Sequence, residues 1–218
     1  MDWTTITTSF VTLFVVIDPL GVTPVFAALT RGMGWGRRIR TALAATLIAA
    51  LILGGFALGG GALLETLGIG LPAFRTAGGI LLFLIGLEMI FEQRTPRRER
   101  NVQRKIAEQH EVEEEDGIAV FPLAIPLLAG PGAIASIVLL MTAAEGDDVT
   151  RTSILAALAL VIAASFVLLV TAGFLLALAG RSVSILITRL MGVLLAALSV
   201  QFVFDGIREG ILLPAATG

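Results

Sequence analysis

The sequence predicts an all-α, polytopic membrane protein with six transmembrane helices, arranged as two inverted repeats of three helices. Three observations support this prediction. Hydrophobic residues make up 56% of the chain and charged residues only 15%, whereas soluble domains carry about 25% charged residues. The apolar residues fall into six long runs. Two motifs also recur at matching places in the two halves of the chain.

Each apolar run is close to the ~20 residues that a helix needs to cross a bilayer. Spanning segments must satisfy their own backbone hydrogen bonds, so the runs are predicted to be helices. The first run is longer than the apolar region of a signal peptide and has no basic residue before it, which favours a membrane span over a cleaved leader. The predicted spans are 6–29, 41–64, 72–91, 118–143, 153–179 and 186–206.

The direction of the spans follows from the basic residues in the loops, because cytoplasmic loops are enriched in Lys and Arg. The loops after spans one and three hold most of them: Arg31, Arg37, Arg38, Arg40, Arg94, Arg97, Arg98, Arg100, Arg104 and Lys105. Both termini are therefore predicted to lie outside. The charged segment 93–117 is predicted to be a solvated cytoplasmic loop, with a regulatory role as the alternative.

The internal repeat divides the chain into two halves, 1–92 and 118–218. "PLGVTP" at 19–24 recurs as "PLLAGP" at 126–131, and "RTAGGILLFL" at 75–84 recurs as "RLMGVLLAAL" at 189–198. Each half has an odd number of spans, so the second half enters the membrane from the opposite side. Inverted repeats are typical of secondary transporters, which bind substrate near the midplane of the bilayer. Channels and enzymes also contain duplications.

Helix-breaking residues are predicted to interrupt spans one and four near the midplane. A proline inside a helix removes one backbone hydrogen bond and clashes with the preceding turn. Polar backbone at this depth is tolerated only inside protein or along a water-filled cavity. A packing kink and a re-entrant hairpin are the alternative interpretations. The residues concerned are Pro19, Gly21, Pro24, Pro126, Gly130, Pro131 and Gly132.

Beyond each break the chain is predicted to begin a new helix. Thr23 is a suitable N-cap with Pro24 at the first helical position, and Gly130 and Pro131 take the same places in the second half. Because the halves are inverted, two positive helix ends should meet near the midplane and bind an anionic group. Asp18 adds a carboxylate, which costs at least ~2.5 kcal/mol at that depth. This combination fits a zwitterion, although Asp18 could instead be a protonated structural cap.

Three further polar residues within or near the spans are candidates for a functional role. Arg75 and Arg189 lie near the starts of spans three and six. They are interpreted as snorkelling or ion-paired residues, and a gating ion pair is the alternative. Gln201 is a candidate for the wall of the cavity. The chain has no Cys and only one His, His110 in the charged loop. This composition excludes a His- or Cys-based metal site and a Ser–His nucleophile within the membrane.

Four segments carry a resemblance to a known family: "DPLGVTPVF" at 18–26, "RTAGGILLFLIGLEM" at 75–89, "FPLAIPLLAGPGAI" at 121–134 and "RLMGVLLAALSVQFVFDGI" at 189–207. They resemble the MarC family of integral membrane proteins, which includes the SnatA-type neutral amino acid transporters. The resemblance implies six spans in a bacterial or archaeal inner membrane. It also implies that Asp18 and the helix-breaking prolines and glycines named above are the functional residues.

The expected function is therefore secondary transport, with export or exchange of small neutral amino acids such as glycine and alanine by alternating access. Coupling to a proton or a sodium gradient is expected, and Asp18 is the candidate proton carrier. No cofactor is expected, and a net charge of −2 gives no basis for nucleic-acid binding. The alternative is a channel or cation transporter that uses carbonyls freed at the breaks. An enzyme is the weakest hypothesis, because no catalytic motif is present.

Overall fold

The computed structural model describes residues 3–91 and 128–212. Every regular element within these two ranges is helical, which confirms the all-α prediction, and neither range contains a strand. The elements are α1 (Trp3–Ile17), α2 (Pro19–Leu29), α3 (Trp35–Thr66), α4 (Leu71–Ile90), α5 (Pro131–Ala143), α6 (Asp148–Val170) and α7 (Ala172–Ile207), followed by a π-helical turn (Arg208–Leu212).

Several of these helices can cross a membrane. Among the described residues, five stretches are long and apolar enough: Trp3–Leu29, Trp35–Thr66, Leu71–Ile90, Asp148–Val170 and Ile185–Ile211. Helix α5 has 13 residues and is about 20 Å long, which is too short to cross alone. The beginning of predicted span four, 118–127, and the charged loop 93–117 lie outside the described residues. The six-span inverted arrangement therefore stays a prediction.

The ends of two helices differ from the sequence prediction. Span five was expected to reach residue 179, but α6 ends at Val170. Helix α7 then runs without interruption for 36 residues from Ala172, where the end of span five and a separate span six at 186–206 were predicted. A helix of that length is about 54 Å long, far more than the ~30 Å hydrocarbon core. Hydropathy alone could not locate this boundary, because the residues on both sides of Thr171 are apolar.

Helices α4 and α7 pack along a seam of glycines. A Cβ atom at Gly192 would lie 2.9 Å from the carbonyl oxygen of Gly86, and one at Gly206 would lie 2.8 Å from that of Pro72. A residue late in α7, Gly206, thus faces the start of α4, and the earlier Gly192 faces a later part of α4. The two helices therefore run antiparallel. Such contacts bring the two backbones together, as small residues do in membrane helix pairs.

Helix α5 lies against both α1 and α4. A Cβ atom at Gly132 would lie 2.6 Å from Cδ1 of Ile85 and 3.4 Å from Cγ1 of Val16, and one at Gly78 would lie 3.0 Å from Cδ1 of Leu139. The pairing of Gly132 with Ile85 and of Leu139 with Gly78 makes α5 antiparallel to α4. This packing places the first turn of α5 beside the last turn of α1.

The glycine seam gives a prediction about stability. Gly192→Val is expected to destabilise the protein by about 1–3 kcal/mol, because the new side chain meets backbone atoms of α4 and overpacks the seam. Thermal unfolding of the purified protein in detergent should show a Tm lowered by about 2–4 °C per kcal/mol. Gly55→Val in α3 is the matched control, since nothing lies within 4 Å of a Cβ atom there. Equal Tm values for the two variants would contradict the packing argument.

Candidate functional site

Asp18 separates α1 from α2. Its backbone is left-handed, with φ 52° and ψ 58°, and among the described residues it is the only non-glycine residue with positive φ. Aspartate is one of the few non-glycine residues that adopt this conformation readily. The side chain is 3% exposed, and its Oδ1 accepts a hydrogen bond of 3.0 Å from the N–H of Gly21. One buried residue therefore ends the first helix and caps the second.

The start of α2 differs from the prediction. Pro19, not Pro24, occupies the first helical position, and the N-cap is Asp18, not Thr23. The Thr23 hydroxyl donates a hydrogen bond of 2.8 Å to the carbonyl of Pro19, and Pro24 lies inside the helix. Proline suits the first helical position because its missing N–H is not needed there. Once Asp18 caps the chain, the helix can begin at the first of the two prolines.

Gly21 has a specific steric role at this break. A Cβ atom at this position would lie 2.1 Å from Oδ2 and 2.9 Å from Oδ1 of Asp18. Only glycine leaves room for the carboxylate to fold back on the first turn of α2. The sequence interpretation treated Gly21 as a helix breaker, but it lies within α2 and its function there is to accommodate the cap.

The second predicted restart is partly described. Gly130 is the N-cap of α5, with an extended backbone, and Pro131 is the first helical residue, as expected. Among the described residues no side chain caps this end of the helix, so its first turn presents peptide N–H groups. Pro126 lies outside the described residues.

The two helix starts lie at a similar depth in the bundle. Gly132 in α5 faces Val16 in α1, and the two helices run in opposite directions. Asp18 comes two residues after Val16, and Gly130 comes two residues before Gly132. Because α1 and α5 are antiparallel, Asp18 and Gly130 lie at about the same level. This register therefore sets the Asp18 carboxylate at about the depth at which the backbone N–H donors of α5 begin.

Other candidates lie elsewhere. The Arg75 guanidinium forms an ion pair with Glu209 in the π-helical turn, with side chains 14% and 37% exposed. Arg189 is exposed and lies toward the opposite end of the α4–α7 seam. Gln201 is exposed, and its Nε2 donates a hydrogen bond of 2.9 Å to Oδ1 of Asp205.

The position of the Arg75–Glu209 pair predicts a structural role, because it ties the end of α7 to the start of α4. Glu209→Gln is expected to lower stability by about 1 kcal/mol or less, as for other partly exposed pairs. The Tm of the purified protein in detergent should therefore fall by no more than about 4 °C. Arg208→Gln, which removes an exposed charge next to Glu209, is the control. A much larger fall in Tm in Glu209→Gln alone would contradict the view that this is an ordinary partly exposed ion pair.

Sequence reasoning missed a set of buried polar groups. Ser9, Thr12 and Ser136 are at most 3% exposed, and the spacing of Thr5, Ser9 and Thr12 along one helix face was a signal that could have identified them. Arg38 was used only to predict topology. Its guanidinium carbon lies 5.7 Å from the centroid of the Phe26 ring, a cation–π contact.

A chain whose described elements are all helical, with several helices that can cross a membrane and a buried acid at a helix break, is a polytopic integral membrane protein. The model of the MarC family integral membrane proteins matches residues 3–211. The chain therefore belongs to the MarC family.

Curated relatives match nearly their whole length. A UPF0056 membrane protein of Archaeoglobus fulgidus is 38% identical, over 94% of this chain and 92% of its own. The UPF0056 membrane protein YhcE of Escherichia coli is 34% identical, over 91% of this chain and 90% of its own. YvbG of Bacillus subtilis, another UPF0056 membrane protein, is 32% identical, over 91% and 92%. No solved structure matches the chain.

Proposed function

We propose that this protein is a secondary transporter that exports or exchanges small neutral amino acids, such as glycine and alanine, across the inner membrane. The observation that carries the proposal is the buried Asp18 carboxylate at the break between α1 and α2, at about the depth where α5 starts. A buried acid within a membrane span is retained for function in most membrane proteins.

The chemistry of this site suits a zwitterion. Peptide N–H groups at a helix start bind anionic groups, and the first turn of α5 offers them to a substrate carboxylate. The Asp18 carboxylate has the charge to attract a substrate ammonium group. Gly21 and Gly132 are both in tight contact with neighbouring side chains, so the surroundings favour a small substrate over a bulky one.

The architecture that we propose has six spans as two inverted three-helix repeats, with both termini outside. The antiparallel packing of α4 with α7, and of α5 with α1 and α4, supports it, because these directions are the ones that six alternating spans would have. Alternating access would then move one repeat against the other around the breaks. In this scheme Asp18 carries the coupling proton, or binds sodium, and the protein has no enzymatic step.

Counterflow in proteoliposomes tests this function. Vesicles loaded with unlabelled glycine or alanine should accumulate external labelled glycine transiently and saturably, and vesicles loaded with lysine or glutamate should not. The channel or cation-transporter alternative predicts ion conductance without counterflow. Conductance together with absent counterflow would overturn the proposal.

A further inference from the structure

A cleft lined with hydroxyl groups opens between α1, α5 and α6, at the end of the bundle where α1 begins. Its volume is about 270 Å³, and its polar lining consists of Thr4, Thr5, Thr8, Ser9 and Thr150. This volume is just below the ~300–1,000 Å³ of sites for drug-sized ligands. The described part of the lining offers hydroxyl groups and no charged side chain, so it suits a small solute that forms hydrogen bonds.

Two hydroxyls of this cleft, those of Thr8 and Ser9, are unusual for a membrane helix. Thr and Ser side chains in helices commonly donate to the carbonyl four residues earlier, as Thr46 does to Ala42 at 2.9 Å. Within the described part of the chain, the hydroxyls of Thr8 and Ser9 make no such bond and remain available to a solute. A hydroxyl can donate to a carboxylate and accept from an ammonium group.

The polar lining continues below the cleft. Ser136 lies on the same face of α5 as Leu140 and Ala143, which line the cleft, and it is one turn deeper. It is fully buried, and its hydroxyl has no hydrogen-bond partner among the described residues. The antiparallel register of α1 and α5 sets Thr12 level with Ser136, one turn from the Gly132–Val16 contact. Buried hydroxyls therefore continue from the cleft to the level of Thr12 and Ser136, and apolar packing around Gly132 and Val16 separates them from Asp18.

The other end of α2 is closed by side chains. The Phe26 ring is fully buried beneath the Arg38 guanidinium. A Cβ atom at Gly173 would lie 2.9 Å from one nitrogen of that guanidinium, so Arg38 fills the space where α2, α3 and α7 meet. Hydroxyl groups thus lie on the side of Asp18 where α1 begins. On the other side of Asp18, the packed Arg38 guanidinium fills the space between the helices.

We infer that the cleft between α1, α5 and α6 is the entrance through which the substrate reaches Asp18, and that Ser136 is the first buried group to bind it. The inference rests on the proposed transport function and extends it to a second part of the molecule. The hydroxyls replace the hydrogen bonds that a small zwitterion makes with water. Arg38, Phe26 and Gly173 form the closed side of the same conformation.

Cysteine labelling tests this entrance directly, because the chain has no native Cys. Thr8→Cys places a thiol on the cleft wall and Ser136→Cys places one at its buried end. Val11→Cys is the control, since Val11 is on the same helix but is 43% exposed on the apolar surface. Each variant is treated with a membrane-impermeant thiosulfonate, applied to intact cells and to inverted vesicles, and the remaining free thiol is measured.

Thr8→Cys should react at least about tenfold faster than Val11→Cys, because the reactive thiolate forms in water and not in lipid. Ser136→Cys should react at an intermediate rate, from the same face of the membrane as Thr8→Cys, and excess glycine should slow it. If Ser136→Cys reacts no faster than Val11→Cys while glycine counterflow is intact, the entrance is wrong and the transport function stands. If both cleft positions react but neither is protected by glycine and counterflow is absent, the substrate assignment is wrong for both proposals.

Discussion

Asp18→Asn is expected to reduce glycine counterflow by about 10- to 100-fold while leaving the protein folded. A hydrogen bond to a charged group contributes about 1.5–3 kcal/mol, and each 1.4 kcal/mol is about tenfold in affinity. Asn keeps an oxygen that can accept from the N–H of Gly21, and it also tolerates a left-handed backbone. The substitution therefore removes the charge and preserves the cap. Initial rates of counterflow and the Tm of the purified variant measure the two effects separately.

Asp18→Ala is the companion variant, because it removes both the charge and the cap. It should lose counterflow like Asp18→Asn. It should also be less stable by about 1 kcal/mol for the cap and a further ~1–2 kcal/mol for the left-handed backbone. If Asp18→Asn retained full counterflow while Asp18→Ala lost it through instability, Asp18 would be only a structural cap. The site would then have no charged partner for a substrate ammonium group.

The position of the helix break could be predicted from the sequence, but its detailed form could not. An acid followed by proline inside an apolar run is a local signal, and α1 ends next to Asp18, but the segment 19–24 that was predicted to be unwound is helical. Pro19 and Pro24 are both able to begin a helix, and no local rule decides between them. The outcome depends on the left-handed backbone of Asp18 and on the space that Gly21 leaves for its carboxylate.

Other features depend on which helices meet, and this information is not local. The hydroxyls of α1 line a cleft only because α5 and α6 pack beside them, and the sequence does not show which helices pack together. In the sequence, Arg38 indicated only a cytoplasmic loop. Its contact with Phe26 could not be predicted, because the contact depends on where α3 lies relative to α2. The all-α class and the apolar helices could be predicted because hydropathy and helix length are properties of single segments.

Gly21→Ala is the second substitution with a large expected effect. The new Cβ atom would lie 2.1 Å from Oδ2 of Asp18, and the carboxylate is 3% exposed, so it cannot turn into solvent without moving its neighbours. Loss of the cap and overpacking together are expected to cost about 2–4 kcal/mol. The Tm should fall by about 2–4 °C per kcal/mol, and counterflow should fall because the carboxylate is displaced.

A double substitution tests whether the Asp18 carboxylate causes the loss of stability expected in Gly21→Ala. In an Asp18→Gly background the carboxylate is gone and the left-handed backbone is still accessible, so alanine at position 21 meets none of the three atoms that crowd it in the native chain. Gly21→Ala should then be neutral or slightly stabilising, because alanine favours a helix by up to ~1 kcal/mol over glycine. A difference of more than about 1.5 kcal/mol between the two backgrounds would be the coupling energy of a direct contact. An equal loss of stability in both backgrounds would mean that Gly21 is required for some reason other than the Asp18 carboxylate.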